Sequence, residues 1–215
     1  MELKDKVVNF LGDSITQGHG ASDAQNGFVH VLEREYGLKQ ANNYGIGGTR
    51  IAKQIGPSAN PAHDAGYCDR VQHMDPNADI IVVFGGTNDF GHGNAPLGSF
   101  DDRHNETFYG ACHVLFRSLI EKYPDKPIVV LTPLHRLEET FNDRKDRAIP
   151  LKRFVAIIKE VAEYYSLPVL DLFACGGMQP KVDIIRETYM PDGLHPNDAG
   201  HQKLARQVGN FLLSL

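Results

Sequence analysis

The sequence has few cysteines, no long apolar run and no excess of basic residues, and each shortage excludes a class of protein. Its three cysteines, Cys68, Cys112 and Cys175, are widely spaced and odd in number. We therefore expect reduced thiols, each packed as a small apolar group, and a cytoplasmic location. No segment approaches the roughly 18 apolar residues of a membrane span. The acidic first residues, followed by only a short apolar stretch, do not form a secretory signal.

Charge and composition exclude further classes. The chain of 215 residues carries 22 basic and 27 acidic residues, a formal net charge of −5. Without a Lys/Arg stripe, such a chain is not expected to bind nucleic acid, because that affinity depends on neutralising phosphates. Its 41% of hydrophobic and 23% of charged residues are typical of a globular protein. We expect a single domain over residues 1–215, large enough to fold without a disulfide or a structural metal.

Short β-branched runs alternate with longer helical patterns along the chain. Apolar residues recur at helical spacing over residues 108–120, 151–165 and 204–215, with a shorter pattern at 28–32. Between them lie runs that predict strands buried on both faces, at residues 7–11, 41–46, 80–84, 128–131 and 168–172. This succession predicts an α/β fold, a parallel sheet between two layers of helices.

Glycines collect just past the carboxyl ends of the predicted strands, at residues 12, 45, 47, 48, 85, 86, 176 and 177. In an open parallel sheet, ligands bind at this edge because several loops and helix N-termini converge there. The sequence therefore indicates one rim of the sheet as the functional site.

A serine at this rim and a histidine near the chain's end are candidate reactive residues. In GDSIT, residues 12–16, a tight turn can expose the Ser14 hydroxyl and free its N–H, although an N-cap serine would have the same pattern. Asp192 lies three residues before His195 on an irregular loop, and Asn197 is the expected N-cap of the last helix. An Asp at this spacing can accept from the imidazole Nδ1–H, which leaves Nε2 as a base.

Two further loops can supply hydrogen-bond donors to an oxyanion. In NYGIGGT, residues 43–49, a glycine can bring a backbone N–H close, and in GGTND, residues 85–89, Asn88 can aim its side-chain NH₂ at the same point. Each loop alone is better explained as a turn. Four loops at strand ends, each with a different part of one acyl-transfer site, favour the functional interpretation.

The segments GDSI, NYGIGG, GGTND and DGLHP resemble, in order and spacing, the four sequence blocks of the GDSL, or SGNH, hydrolase family of esterases and lipases. The resemblance spans residues 11–196. Ile15 stands where the family name has Leu, so an apolar residue is kept. The resemblance implies a flavodoxin-like three-layer αβα sandwich with a five-stranded parallel sheet. The GxSxG elbow of α/β-hydrolases is absent.

The same resemblance implies roles for individual residues. It makes Ser14 the nucleophile, His195 the general base and Asp192 the acid that orients it. The backbone N–H groups of Ser14 and Gly48 and the side chain of Asn88 would form an oxyanion hole. No metal and no organic cofactor are expected.

Residues other than the triad and the oxyanion donors receive other interpretations. Asp13 and Asp89 are interpreted as turn or helix-start carboxylates, and Phe90 and His92 follow Asn88 closely enough to line a pocket. The charged residues 135–147 form a solvated loop, a lid or a subunit contact. A loop-rich stretch contains a group of acids and histidines that lacks the spacing of a metal site. The group consists of His63, Asp64, Asp69 and His73.

The leading hypothesis is a serine esterase that acts on a small-molecule ester through an acyl-enzyme. A thioesterase or lysophospholipase would use the same residues, and a flavodoxin-like module would instead bind a flavin phosphate at Ser14, Thr16 and Gly18. The loops at 54–64 and 91–105 are mostly polar, so a short acyl group such as acetyl, on a polar alcohol such as a sugar, fits better than a long chain. The oligomeric state is left open, a homo-oligomer included.

Overall fold

A computed structural model describes residues 1–140 and 149–215. The strands are β1 Val7–Gly12, β2 Gln40–Gly45, β3 Ile80–Phe84, β4 Ile128–Leu131 and β5 Val169–Leu170. They form a parallel sheet in the order β2-β1-β3-β4-β5. The helices of the described residues are α1 Ser14–Gln17, α2 Phe28–Tyr36, α3 Tyr67–Arg70, α4 Thr87–Gly91, α5 Phe108–Lys122, α6 Leu151–Tyr164, α7 Leu172–Cys175, α8 Asp183–Tyr189 and α9 Asp198–Ser214.

This strand order is that of the flavodoxin-like fold, which confirms the expected α/β sandwich with five parallel strands. Val8 of β1 pairs with Ala41 of β2 on one side and with Ile80 of β3 on the other. Every residue of β3 is buried, as expected of a β-branched run covered on both faces. The same expectation is wrong for β2, where Gln40 is exposed and only Ala41 is buried, because β2 lies at the edge of the sheet.

Helices cover both faces of the sheet, and β1 contributes to both cores. Val8 and Phe10 belong to one core with residues of α2 and α9, while Leu11 belongs to the other with residues of α5 and α6. Successive side chains of a strand point to opposite faces, so one six-residue strand can hold both layers in place. Its carboxyl end therefore has a fixed position relative to the whole fold.

Capping side chains and a proline set the ends of the long helices α5 and α9. The Thr107 hydroxyl accepts from Gly110 N at the start of α5, and α5 ends at Lys122, just before Pro124. Asn197 is the N-cap of α9, as expected, and its side chain accepts from Gly200 N at 3.0 Å. This cap fixes the end of the loop that contains Asp192 and His195.

The three cysteines are unpaired thiols, but they are not equally buried. Cys112 is buried and Cys68 is half-buried, whereas Cys175 is exposed at the end of α7. The expectation that each thiol is a small buried apolar group is therefore wrong for Cys175. Within the described ranges, no helix is both long and apolar enough to cross a membrane.

Candidate active site

Ser14 lies in the tight turn that joins the end of β1 to α1. β1 ends at Gly12, and the Asp13 carboxylate accepts from Ile15 N at 3.0 Å, which caps α1. Ser14 is thus the first residue of a helix, where a backbone N–H has no partner within the helix itself. The turn keeps that N–H and the side-chain hydroxyl on the same rim of the sheet.

A continuous set of hydrogen bonds joins Ser14 to the loop before α9. Ser14 Oγ lies 3.0 Å from His195 Nε2, and His195 Nδ1 lies 2.6 Å from Asp192 Oδ2. The other carboxylate oxygen, Oδ1, accepts from Leu194 N at 2.8 Å and from His195 N at 2.7 Å. An ionised carboxylate can only accept, so the imidazole proton resides on Nδ1. Nε2 is then left to accept from the Ser14 hydroxyl.

The surroundings of Asp192 favour its ionised form. Partial burial by itself would raise the pKa of this carboxyl. The hydrogen bonds from the backbone and ring of His195 and from Leu194 N, together with the His195 charge, outweigh burial and hold the pKa of Asp192 below its ordinary value. The carboxylate that orients the imidazole is therefore charged at neutral pH.

Two histidines without a sequence signal lie near His195: His19 packs against it, and His201 contacts His19. The His19 ring lies 4.5 Å from the His195 ring, centroid to centroid. Buried His201 fixes the position of His19: Nδ1 accepts from Phe28 N at 3.2 Å, so Nε2 carries the proton and donates to His19 O at 3.1 Å. Burial lowers the pKa of His201, consistent with a neutral ring.

The glycine loop after β2 lies directly against Ser14. A Cβ added to Gly47 would lie 3.7 Å from Ser14 Cβ, and Gly47 N donates to Gln17 Oε1 at 2.8 Å. Gly48 has a φ of +75°, and a Cβ there would lie 2.3 Å from the His63 ring. The left-handed backbone and the close ring both require glycine. Gly47 therefore donates its N–H to Gln17 beside Ser14, and the next residue, Gly48, turns the loop against His63.

Asn88 is brought to the same loop by a contact with the residue after Gly48. Its side-chain Nδ2 donates to Thr49 O at 3.1 Å, and it lies in the first turn of α4, beyond the end of β3. Ser14, beside Gly47, and Asn88, bonded to Thr49, thus both approach the glycine loop, although they follow two different strands.

The two buried carboxylates, Asp13 and Asp89, hold backbone N–H groups in place, as expected of turn or helix-start carboxylates. Asp13 caps α1, and Asp89 accepts from Ile51 N and Ala52 N, each at 2.9 Å. Burial raises the pKa of Asp13 and of Asp89 to about 6, against the lowering effect of these hydrogen bonds. Asp89 thereby joins α4 to the loop that contains Gly48.

A depression with several polar side chains in its walls lies beside the glycine loop. Two cavities, of about 400 and 380 Å³, have Arg50, Gln54, Gly56 and His63 in both walls, and His92 lines the second. Arg50 is only 4% exposed. Its guanidinium lies 3.0 Å from His92 Nδ1 and 3.0 Å from Asp64 Oδ1, while the His63 and His92 rings are 5.4 Å apart.

Phe90 does not line this depression. It is 1% exposed, and its ring packs against Phe154 at a centroid distance of 6.0 Å. The interpretation of Phe90 as a pocket residue is therefore corrected: as an apolar residue of α4, it faces the core between the sheet and α6. His92, one residue beyond α4, is exposed.

The part of the segment 135–147 that the structure describes contacts two loops of the site. Leu137 N donates to Gly193 O at 2.7 Å, and Arg136 Nη1 donates to Thr87 O at 3.2 Å. Residues 141–147 lie outside the described residues, so the interpretation of this segment as a lid or subunit contact is not tested. Over residues 1–140 and 149–215, no three His, Cys, Asp or Glu side chains converge as a metal site.

The fold and this rim define a class of protein: a flavodoxin-like sandwich with a Ser–His–Asp set of hydrogen bonds at the carboxyl ends of its strands. The particular family follows from comparison with known sequences. The model of the GDSL-like lipase/acylhydrolase family matches residues 10–203. The chain belongs to this family. No curated protein matches its sequence.

Solved structures share the fold over almost the whole chain. A protein from Lactobacillus plantarum is 30% identical, with a TM-score of 0.85 and 98% of each chain covered. A carbohydrate acetylesterase family member from Sinorhizobium meliloti is 16% identical, with a TM-score of 0.66 over 97% of this chain and 98% of that one. A two-domain esterase active on acetylated mannans is 18% identical, with a TM-score of 0.63 over 97% of this chain and 48% of the other.

Proposed function

We propose that this chain is a serine esterase that hydrolyses short-chain acyl esters through Ser14, His195 and Asp192. The observation that carries the proposal is the pair of contacts at His195, 3.0 Å from Nε2 to Ser14 Oγ and 2.6 Å from Nδ1 to Asp192. A serine hydroxyl is a weak nucleophile until a base accepts its proton, and the Nδ1 proton bonded to Asp192 leaves Nε2 available for that task.

The reaction follows from these proton positions. Ser14 Oγ attacks the ester carbonyl carbon while its proton passes to His195 Nε2, and the imidazolium is stabilised by Asp192. His195 then gives the proton to the alkoxide oxygen as the C–O bond breaks, so the alcohol leaves and an acyl-serine remains. Water, deprotonated by the same Nε2, attacks the acyl carbon, and the proton returns to Ser14 Oγ as the carboxylic acid is released. Each of these steps uses groups of the chain itself.

The negative charge of each tetrahedral intermediate needs fixed donors. We assign this role to the backbone N–H groups of Ser14 and Gly48 and to the Asn88 side chain. The position of the glycine loop supports the assignment: a Cβ at Gly47 would lie 3.7 Å from Ser14 Cβ, and Asn88 donates to Thr49, the residue after Gly48. Donors that are already in place require no reorganisation as the charge develops.

The alcohol half of the substrate is inferred from the depression beside Gly48. Its walls include the polar side chains of Arg50, Gln54, His63 and His92, which suit hydroxyl groups better than a long acyl chain. Two of the structural neighbours are described as a carbohydrate acetylesterase family member and an esterase active on acetylated mannans. We therefore propose a short acyl group, such as acetyl, on a polar alcohol such as a sugar.

The alternative functions fit the site less well. A flavin phosphate would need Thr16 accessible, but Thr16 is 1% exposed, and Ser14 Oγ is engaged with His195. A thioesterase or lysophospholipase would need an apolar channel for its acyl chain, whereas the side chains of Arg50, Gln54 and His63 line the depression beside Gly48. The three unpaired thiols support a cytoplasmic location, which we retain as a proposal.

Labelling and hydrolysis together test the proposal. We expect the protein to hydrolyse p-nitrophenyl acetate, and a serine-directed phosphonate to label it once, at Ser14. Ser14→Ala should lose both properties, whereas Ser118→Ala on α5 serves as a serine control that keeps both. Hydrolysis that survives in Ser14→Ala, or a label on another serine, would show that the nucleophile is wrongly assigned. p-Nitrophenyl esters of increasing acyl length and acetylated sugars then test the substrate class.

A further inference from the structure

A buried arginine outside the four sequence blocks lies beneath the site. Arg70, the last residue of α3, is 8% exposed. Its Nη1 and Nη2 both donate to Gly12 O at 3.1 Å, and Nη2 also donates to the Thr49 hydroxyl at 2.9 Å. Nη1 donates in addition to Tyr44 O. Uncharged oxygens thus surround this guanidinium on the side that faces the strand ends.

These acceptors belong to the segments that precede or contain the proposed reactive groups. Gly12 ends β1 two residues before Ser14, and Tyr44 is the last residue but one of β2, just before the glycine loop. Thr49 directly follows Gly48. One planar guanidinium, with its fork of donors, therefore fixes the nucleophile turn and the glycine loop relative to each other.

The charge of Arg70 is retained in this buried position. Burial lowers the pKa of the guanidinium, but Tyr67 and Asp13 oppose the change, and the group starts so far above neutral pH that it remains protonated. The Tyr67 ring packs 4.7 Å from the guanidinium carbon, a favourable cation–π contact. The Arg70 side chain thus packs on the Tyr67 ring and donates to three segments of the site, at Gly12, Tyr44 and Thr49.

Thr49 connects Arg70 to Asn88, because it accepts a hydrogen bond from each. The Thr49 hydroxyl donates its only proton to Ile46 O at 2.8 Å, so it must accept from Arg70. Thr49 O accepts from Asn88 Nδ2 at 3.1 Å. Because a carbonyl can only accept, the Asn88 amide must turn its NH₂ group toward the glycine loop. One N–H of that group binds Thr49, and the second is left for the oxyanion.

We propose that Arg70 is a positioning residue, which orients the Asn88 amide through Thr49 and fixes the Ser14 turn through Gly12. The inference rests on the proposed function for its consequence in catalysis, but not for the orientation itself. A purely structural arginine would affect stability alone. A positioning arginine changes the geometry of the oxyanion donors, so its loss lowers kcat more than it changes KM.

Two substitutions test the contact at each end. Arg70→Lys keeps the charge but loses the planar fork, and Thr49→Val keeps the backbone carbonyl but loses the hydroxyl. We expect kcat to fall about 10-fold to 100-fold in Arg70→Lys, by misplacement of the donors, with KM changed less than about threefold. Tyr123→Phe is the control: it removes hydrogen bonds to Asn9 and Asp75, neither of which is a proposed reactive group or an Arg70 acceptor, and should lower stability without lowering kcat.

A double-mutant cycle separates action through Asn88 from general damage. If Thr49 acts on the reaction through Asn88, Thr49→Val should lower kcat in the wild type but not further in Asn88→Ala. The inference would be overturned if Thr49→Val lowered kcat by the same factor in the wild type and in Asn88→Ala. It would also be overturned if kcat were unchanged in both Thr49→Val and Arg70→Lys.

The orientation of the Asn88 side-chain amide can also be tested by a measurement that does not depend on enzymatic activity. Its side-chain amide signals in ¹⁵N NMR are identified by their loss in Asn88→Ala, and we expect them to shift in both Thr49→Val and Arg70→Lys. Unmoved signals in two folded variants would overturn the positioning role. A wild type without esterase activity, or an active Ser14→Ala, would instead overturn the proposed function, and the NMR result would still decide the role of Arg70.

Discussion

Replacement of Asp192 by asparagine has an effect that can be derived from the hydrogen bonds around this residue. Oδ1 of Asp192 accepts from two backbone N–H groups, at Leu194 and His195, while Oδ2 faces His195 Nδ1. In Asp192→Asn, the amide oxygen must stay on the two backbone donors, because an NH₂ group cannot accept from them. The NH₂ group then points at Nδ1. Nδ1 becomes an acceptor, and the imidazole proton moves to Nε2.

This change of tautomer removes the base. With a proton on Nε2, His195 cannot accept the Ser14 proton across the 3.0 Å contact. We expect kcat to fall by about 10³–10⁴, the scale known for a triad whose histidine holds the wrong tautomer, which is about 4–5.5 kcal/mol of transition-state stabilisation. The loss of charge adds less, since the Asp192 side chain is 54% exposed and solvent screens it.

The assay is hydrolysis of p-nitrophenyl acetate over a range of pH, with Asp183→Asn as a matched control on exposed α8. In Asp192→Asn, the residual kcat/KM should decline at lower pH than in the wild type, because the imidazolium has lost its carboxylate. Stability provides a second measurement. The pKa of Asp192 is lowered by folding, so its ionised form contributes stability above the unfolded pKa, and this contribution disappears as pH falls through the folded pKa. A near-normal kcat in Asp192→Asn would refute the tautomer argument.

Three further predictions concern the loops around Ser14. Asn88→Ala should lower kcat by about 10²–10³ with a smaller change in KM; a large rise in KM at constant kcat would make Asn88 a substrate-binding residue. His63→Ala should raise KM for an acetylated sugar roughly threefold to tenfold, the scale of one hydrogen bond, and raise it less for p-nitrophenyl acetate; equal effects on both substrates would count against an alcohol subsite. The pKa of Asp89 is raised to about 6, so its contribution to stability is fully present below the unfolded pKa and is lost as pH rises through the folded pKa. In urea unfolding, the stability of the wild type relative to Asp89→Asn should therefore decline as pH rises from 4 to 7, and a constant difference would contradict the raised pKa.

Local sequence alone determined the sheet and the parts of the site that lie close together in the chain. Buried β-branched runs such as 80–84 can hardly form anything else between two helical patterns, and the Asn197 cap follows from a side chain next to its own helix. The spacing of Asp192 and His195 specifies their contact for the same reason: three residues of loop separate them. Family resemblance then related Ser14, Gly48 and Asn88, which no periodicity connects.

Tertiary structure decided the contacts between segments that are distant in the chain. No local signal relates Arg70 to Gly12, His63 to Gly48, or His201 to His19, because each contact depends on where two separate elements meet. Residues close together in the chain can also differ in a way that the sequence does not show. Phe90 and His92 both follow Asn88, but the direction of α4 places Phe90 in the core and leaves His92 exposed. A side chain's chemistry can be read from the sequence, whereas the neighbour that it meets is set by the packing of the whole fold.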